Sequence, residues 1–182
     1  MPTPRELKVV IEVGQKKVFA SAIHYPGWAR SAKTETLALE QLLAYRNRYA
    51  AIASLVDVQI PSTNKITIVE RVTGNATTDF GAPAIPTQGE SKVLSHAQQS
   101  TLDLLVGACQ LAFERVVAGA PETLRKGPRG GGRDTSKIAT HVADVAKVYE
   151  RKCAKGEWSP AYTARRFGWH LADHLWEIED RS

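Results

Sequence analysis

Residues 159–179 read Ser-Pro-Ala-Tyr-Thr-Ala-Arg-Arg-Phe-Gly-Trp-His-Leu-Ala-Asp-His-Leu-Trp-Glu-Ile-Glu. The hydroxyl of Ser159 can accept a hydrogen bond from the first turn of a helix. Pro160 suits the first helical position because its ring already holds φ near the helical value. The stretch therefore predicts one long helix that runs to Glu179.

Two more helices are predicted upstream of this one. Residues 91–119 carry apolar side chains near one stripe, and Gly119-Ala120-Pro121 ends the pattern. Residues 134–153 repeat apolar side chains at intervals of three and four, which is the spacing of a core-facing stripe. Because the connection between the last two helices is short, we expect them to be antiparallel neighbours in a helical bundle.

The first half of the chain has a different pattern. Residues 7–13 and 18–23 are β-rich and are separated by Gly-Gln-Lys-Lys, which predicts a β-hairpin. Residues 34–53 predict an amphipathic helix, and residues 65–73 alternate apolar and polar side chains like a half-buried strand. The chain is therefore predicted to be an α+β protein, in which a small sheet-plus-helix unit precedes an antiparallel helical bundle.

Residues 74–89 lose this periodicity and gain turn formers such as Gly-Asn, Gly-Ala-Pro and Ile-Pro. They are expected to form either a linker or a covering loop. We place the boundary between the two units here, with residues 1–88 in the first and residues 89–182 in the second.

Charge and hydropathy restrict the partners of the chain. Lys and Arg total 24 against 19 Asp and Glu, and the resulting net charge of +5 permits an anionic partner without requiring one. No apolar run approaches the ~20 residues of a membrane span, and the N-terminus lacks the apolar core of a secretory signal. We therefore expect a cytoplasmic protein that binds neither a membrane nor a nucleic acid.

Two of the five histidines lie four residues apart in the predicted last helix. The Cβ atoms of His170 and His174 would be roughly 5–6 Å apart on one face, so both imidazoles can reach one metal ion. The alternative is that both are surface histidines on an amphipathic helix.

A third ligand would strengthen such a site, because open metal sites usually take three protein ligands. His141 lies near the start of the preceding helix, and antiparallel packing would bring it opposite His170 and His174. His96 is the rival third ligand, and His24 is remote. Three imidazoles suit Zn²⁺ or Ni²⁺ better than Mg²⁺ or Ca²⁺, so a divalent transition-metal ion is the expected cofactor.

Charged residues accompany the candidate site. The acidic end of the last helix, which contains Glu177, Glu179 and Asp180, is expected to be a solvated end. The alternative is that one of these carboxylates orients a ligand imidazole or acts as a general base. Lys126, Arg129 and Arg133 lie in a glycine-rich connection that either binds an anion weakly or is only a flexible basic link.

The two metal-ligand segments resemble a known superfamily. Residues 137–149 read Lys-Ile-Ala-Thr-His-Val-Ala-Asp-Val-Ala-Lys-Val-Tyr, and residues 167–181 read Phe-Gly-Trp-His-Leu-Ala-Asp-His-Leu-Trp-Glu-Ile-Glu-Asp-Arg. Both are similar to the metal-ligand helices of the DinB-like superfamily, whose members are helical bundles related to thiol-dependent S-transferases and maleylpyruvate isomerases. The family has four helices where this chain has room for three.

The DinB-like resemblance implies a divalent metal ion held by His141, His170 and His174, with water or a thiolate in the open positions. It also implies a low-molecular-weight thiol and a small-molecule substrate as ligands. The function expected from it is that of a metal-binding protein acting as a thiol-dependent transferase or isomerase.

The first half resembles a different family. The two strands, the Tyr25-Pro26-Gly27-Trp28 loop and the helix after it are similar to the HicB-type antitoxin domain, a small sheet with one helix. This resemblance implies an alternative function, a non-catalytic binding module that recognises a protein or nucleic-acid partner.

A homodimer or larger homo-oligomer is also expected. Three helices leave one flank of a bundle uncovered, and a two-stranded hairpin unit is marginally stable alone.

Overall fold

A four-stranded sheet lies in the first half of the chain. In the computed structural model, which describes residues 6–62, 64–127 and 132–182, its strands are β1 (Leu7–Val13), β2 (Val18–Ala22), β3 (Ala29–Ala32) and β4 (Ile66–Thr73). Their order is β3-β2-β1-β4, with β1 antiparallel to β2 and parallel to β4. The predicted α+β class, the hairpin and the later strand are confirmed.

Strand β3 was not predicted from the sequence. It reads Ala-Arg-Ser-Ala and has no apolar alternation, so only its antiparallel pairing with β2 makes it a strand. Gly27 precedes it with φ +99°, a conformation that favours glycine, and the turn buries Trp28. The Trp28 indole N–H donates to the carbonyl of Leu42 at 2.7 Å, which fixes the turn against the following helix.

The single helix predicted for residues 34–53 is two helices in the structure. Helix α1 (Glu35–Ala44) and helix α2 (Arg46–Ala53) are separated at Tyr45, where ψ is 3°. The prediction of one continuous helix is therefore wrong, because α1 packs on strands β2 and β3 whereas α2 packs on a later helix. The Tyr45 ring at the break lies 4.8 Å from the Trp176 ring.

Residues 74–89 contain the short helix α3 (Ala76–Phe80) and cover the sheet. The buried Glu12 carboxylate of β1 accepts hydrogen bonds from the backbone N–H groups of Ala84, at 2.8 Å, and Ile85, at 3.1 Å. The Tyr162 hydroxyl donates to the Ala84 carbonyl at 2.7 Å. Of the two alternatives for residues 74–89, a linker or a covering loop, the structure shows the covering loop. Its hydrogen bonds connect the sheet to the last helix.

Three long helices form the second half, as predicted. They are α4 (His96–Gly119), α5 (Thr135–Ala154) and α6 (Pro160–Arg181), and α6 packs against both of the others. The Ser159 hydroxyl accepts from the N–H of Tyr162 at 3.2 Å and so caps α6 as expected. Helix α4 begins five residues later than predicted because Ser95 caps it in a reciprocal pair with Gln98.

One hydrophobic core contains side chains from both halves of the chain. The predicted boundary between two units near residue 88 stays a prediction. The fully buried members of the core include Leu7, Trp28, Leu105, Ile138 and Ile178. Helix α6 approaches the Tyr25–Trp28 turn so closely that a Cβ on Gly168 would lie 2.7 Å from the Pro26 carbonyl carbon. In the described parts of the chain, no helix has the length and apolarity to cross a membrane.

Candidate metal centre

Helices α5 and α6 bring three histidines together. His141 of α5 has its ring centroid 5.0 Å from that of His170 and 5.2 Å from that of His174, and the two α6 rings are 4.7 Å apart. The nitrogen atoms that these residues can offer to an ion all lie within 4.8 Å of one another. We call His141, His170 and His174 the histidine cluster.

The packing of the two helices explains why the cluster forms. Ile138 and Val142 flank His141 and are buried in the core, as Leu171 and Leu175 are beside the α6 histidines. Because residues three and four apart share one helical face, burying these apolar stripes turns the imidazoles toward the seam between the helices.

The rival histidines lie outside the cluster. His96 is exposed near the start of α4, where its ring nitrogen Nδ1 is 3.5 Å from the hydroxyl of Ser100. His24 is exposed in the loop after β2. His141 is therefore the third member that the structure brings to the α6 pair.

His170 is the most buried member of the cluster. Its exposed fraction is 6%, and its Nε2 atom has no hydrogen-bond partner among the residues that the structure describes. Burial, and to a lesser extent the neighbouring charges of His174, His141, Arg166 and Arg133, together lower the pKa of His170 to about 3. Burial, together with His174 and Arg133, also lowers the pKa of His141. Both imidazoles are therefore neutral at pH 7, which is the form that can bind a metal ion.

Glu177 holds the third imidazole in place. Its carboxylate accepts a hydrogen bond from Nδ1 of His174 at 2.8 Å and from the Arg181 guanidinium at 2.7 Å. The bond to His174 lowers the pKa of Glu177, and the bond to Arg181 adds to this effect. The expectation of a purely solvated acidic end is therefore wrong for Glu177, because one helical turn places it beside His174. With Nδ1 occupied in this way, Nε2 of His174 is left to face a ligand.

The basic glycine-rich connection lies close to the cluster. The Arg181 guanidinium donates to the carbonyls of Arg125, at 2.7 Å, and Arg133, at 2.8 Å, and so ties both ends of the connection to α6. Lys126 is exposed and lines a cavity of about 460 Å³ together with Glu177. Arg129, the third predicted anion-binding residue, lies outside the described residues. Anion binding by Lys126 and Arg133 stays a prediction.

Sequence reasoning missed one charged neighbour of the cluster. Arg166 lies four residues before His170, so extending the histidine spacing one turn back along α6 would have found it. The ring centroids of Tyr149 and Trp169 lie 6.0 Å and 5.9 Å from that of His170, so both aromatic rings pack beside this imidazole.

The histidine cluster is the feature from which a function can be inferred. Compared with protein-family models, curated proteins and solved structures, the chain matches none. The function is therefore inferred from the chemistry of the three imidazoles and their neighbours.

Proposed function

We propose that the histidine cluster holds one Zn²⁺ or Ni²⁺ ion and that the chain is a DinB-like, thiol-dependent transferase or isomerase. The observation that supports the metal site is the convergence of three ligand nitrogens within 4.8 Å from two helices. Three imidazoles match the preference of these ions for nitrogen ligands, whereas Mg²⁺ and Ca²⁺ prefer oxygen.

The spacing of the cluster fits such an ion after a small adjustment. Nitrogens bound to one tetrahedral Zn²⁺ at 2.0–2.1 Å are ~3.4 Å apart. The largest separation in the cluster, 4.8 Å, exceeds this value by about 1.4 Å, a difference that small rotations of the imidazole side chains can remove. The unpartnered Nε2 of His170 supports the fit, because a buried polar atom without a partner costs free energy that an ion would recover.

The protein residues have separate tasks in this proposal. His141 and His170 would supply neutral nitrogens, and Glu177 accepts the hydrogen bond of His174 Nδ1, which leaves Nε2 of His174 available to the same ion. Three protein ligands leave further positions open to water or a small ligand. A bound divalent ion would supply the positive charge that lowers the pKa of a thiol and makes it a nucleophile at neutral pH.

Metal content tests the proposal directly. Protein treated with a chelator, exposed to Zn²⁺ or Ni²⁺ and then desalted is expected to retain close to one ion per chain by elemental analysis. The same treatment with Mg²⁺ or Ca²⁺ is expected to leave none. Retention of no transition metal would overturn the proposal in favour of the binding-module alternative.

Replacing Glu177 should weaken the site without removing a ligand. The Glu177→Gln variant loses the carboxylate that orients His174, so we expect its Kd for Zn²⁺ to rise about 10- to 100-fold. Competition with a chromophoric chelator measures this Kd. Glu150→Gln is the matched control, because Glu150 is exposed on α5 and its loss changes the net charge equally. Equal affinities for the two variants would show that Glu177 does not position His174.

A further inference from the structure

Two consecutive buried arginines of α6, Arg165 and Arg166, differ in whether their guanidinium groups have hydrogen-bond acceptors. The Arg165 guanidinium donates to both carboxylate oxygens of Glu90, at 2.5 and 3.0 Å, and to the Ile85 carbonyl at 2.8 Å. Arg166 is also buried, with an exposed fraction of 7%, but its Nε and Nη1 atoms have no hydrogen-bond partner. In the parts of the chain that the structure describes, no carboxylate lies within ion-pair distance of Arg166.

Aromatic rings stabilise the charge of Arg166 only in part. Its Cζ atom lies 5.3 Å from the centroid of the Tyr149 ring and 5.0 Å from that of the Trp169 ring. Such rings attract a cation through their π faces, but they do not replace an anionic acceptor for N–H donors. A buried guanidinium without that acceptor costs folding free energy, so an unpaired Arg166 calls for an explanation.

The position of Arg166 connects it to the histidine cluster. It lies one helical turn before His170 on α6, and the rings of Tyr149 and Trp169 that contact it also flank the His170 ring. The Nε and Nη1 atoms of Arg166 and the Nε2 atom of His170, which have no hydrogen-bond partner among the described residues, thus lie in one site beside the rings of Tyr149 and Trp169.

We infer that Arg166 binds the carboxylate of the small molecule that occupies the metal centre, so that the ligand class is a low-molecular-weight carboxylic acid. This inference rests on the proposed function, because the rest of the ligand would lie at the histidine cluster. One carboxylate supplies one negative charge and planar acceptors, which match one guanidinium. A phosphate dianion carries a second negative charge that one guanidinium does not balance, so it fits Arg166 less well.

Two thiols that differ in their carboxylate test the inference. Isothermal titration calorimetry of the zinc-loaded, desalted protein would compare 3-mercaptopropionate with the uncharged 2-mercaptoethanol. For Arg166→Met we expect the Kd of 3-mercaptopropionate to rise about 10- to 100-fold, because a charge-assisted hydrogen bond is lost, and the Kd of 2-mercaptoethanol to stay the same. Arg166→Lys, which keeps the charge but not the guanidinium, is expected to give an intermediate Kd.

The controls separate a binding role from a structural one. Arg151→Met removes the same charge from an exposed position on α5 and is expected to leave both Kd values unchanged. Equal weakening of both thiols by Arg166→Met and Arg166→Lys would assign Arg166 a purely structural role and overturn the inference. If inorganic phosphate competes with 3-mercaptopropionate as strongly as propionate does, the inference that the ligand is a carboxylate is overturned. A protein that retains no zinc overturns the proposed function as well, whereas retained zinc without a carboxylate preference overturns this inference alone.

Discussion

Replacement of His170 by alanine is expected to raise the Kd for Zn²⁺ by at least about 100-fold, because it removes a metal ligand. The loss of a residue that only orients a ligand, such as Glu177, is expected to raise this Kd by about 10- to 100-fold. His170 is the buried member of the cluster, and its unpartnered Nε2 atom is available to a metal ion. His141→Ala should have a comparable effect although it changes a different helix. Zinc retention after desalting and chelator competition both measure the loss.

His96→Ala is the matched control for these two variants. His96 is exposed on α4 and does not belong to the cluster, so this variant should bind zinc as the parent does. Zinc affinity that falls for His96→Ala, or that stays unchanged for His170→Ala and His141→Ala, would contradict the assignment of the site.

Glu90→Ala is expected to lower the free energy of unfolding by about 3–5 kcal/mol, because it leaves the buried Arg165 guanidinium without its counter-charge. Both side chains of this ion pair are nearly inaccessible, with exposed fractions of 3% for Glu90 and 4% for Arg165. The loss is a large part of the total stability of a typical domain, about 5–15 kcal/mol. Urea denaturation followed by circular dichroism measures it.

Glu157→Ala provides the comparison for a surface ion pair. Glu157 lies 3.7 Å from the Lys152 ammonium, and both side chains are 40% or more exposed. Its removal should cost less than about 1 kcal/mol, since exposed pairs are screened by water and salt. A loss for Glu90→Ala as small as that for Glu157→Ala would show that the Arg165 charge finds another partner when Glu90 is absent.

The regular elements with strong periodicity were predictable from the sequence. Strands β1, β2 and β4 and helices α4, α5 and α6 follow local rules, namely the alternation of apolar residues, the three-and-four spacing and the Ser159-Pro160 start signal. The convergence of His141 on the α6 pair was also predictable, because antiparallel helices with a short connection leave few ways to pack. The strands and helices depend on residues that are near one another in the chain, whereas the convergence of the histidines follows from the short connection between α5 and α6.

Other features depend on contacts between distant residues. Strand β3 exists because β2 pairs with it, and the break at Tyr45 arises because α1 and α2 pack on different partners. A four-residue run without alternation and a helix interrupted at one tyrosine carry no local signal.

The spacing along α6 brought His170 and His174 to one face, and it placed Glu177 and Arg166 one turn to either side of the pair. The same spacing gives Glu177 its partners, because His174 and Arg181 lie three and four residues away on one face of α6. The burial of Arg166 was decided only by the tertiary structure, in which Tyr149 of α5 packs over its guanidinium and no carboxylate of the described residues lies beside it. The physical reason is that the burial of a charged side chain is set by the surfaces that pack around its helix, and residues distant in the chain supply those surfaces.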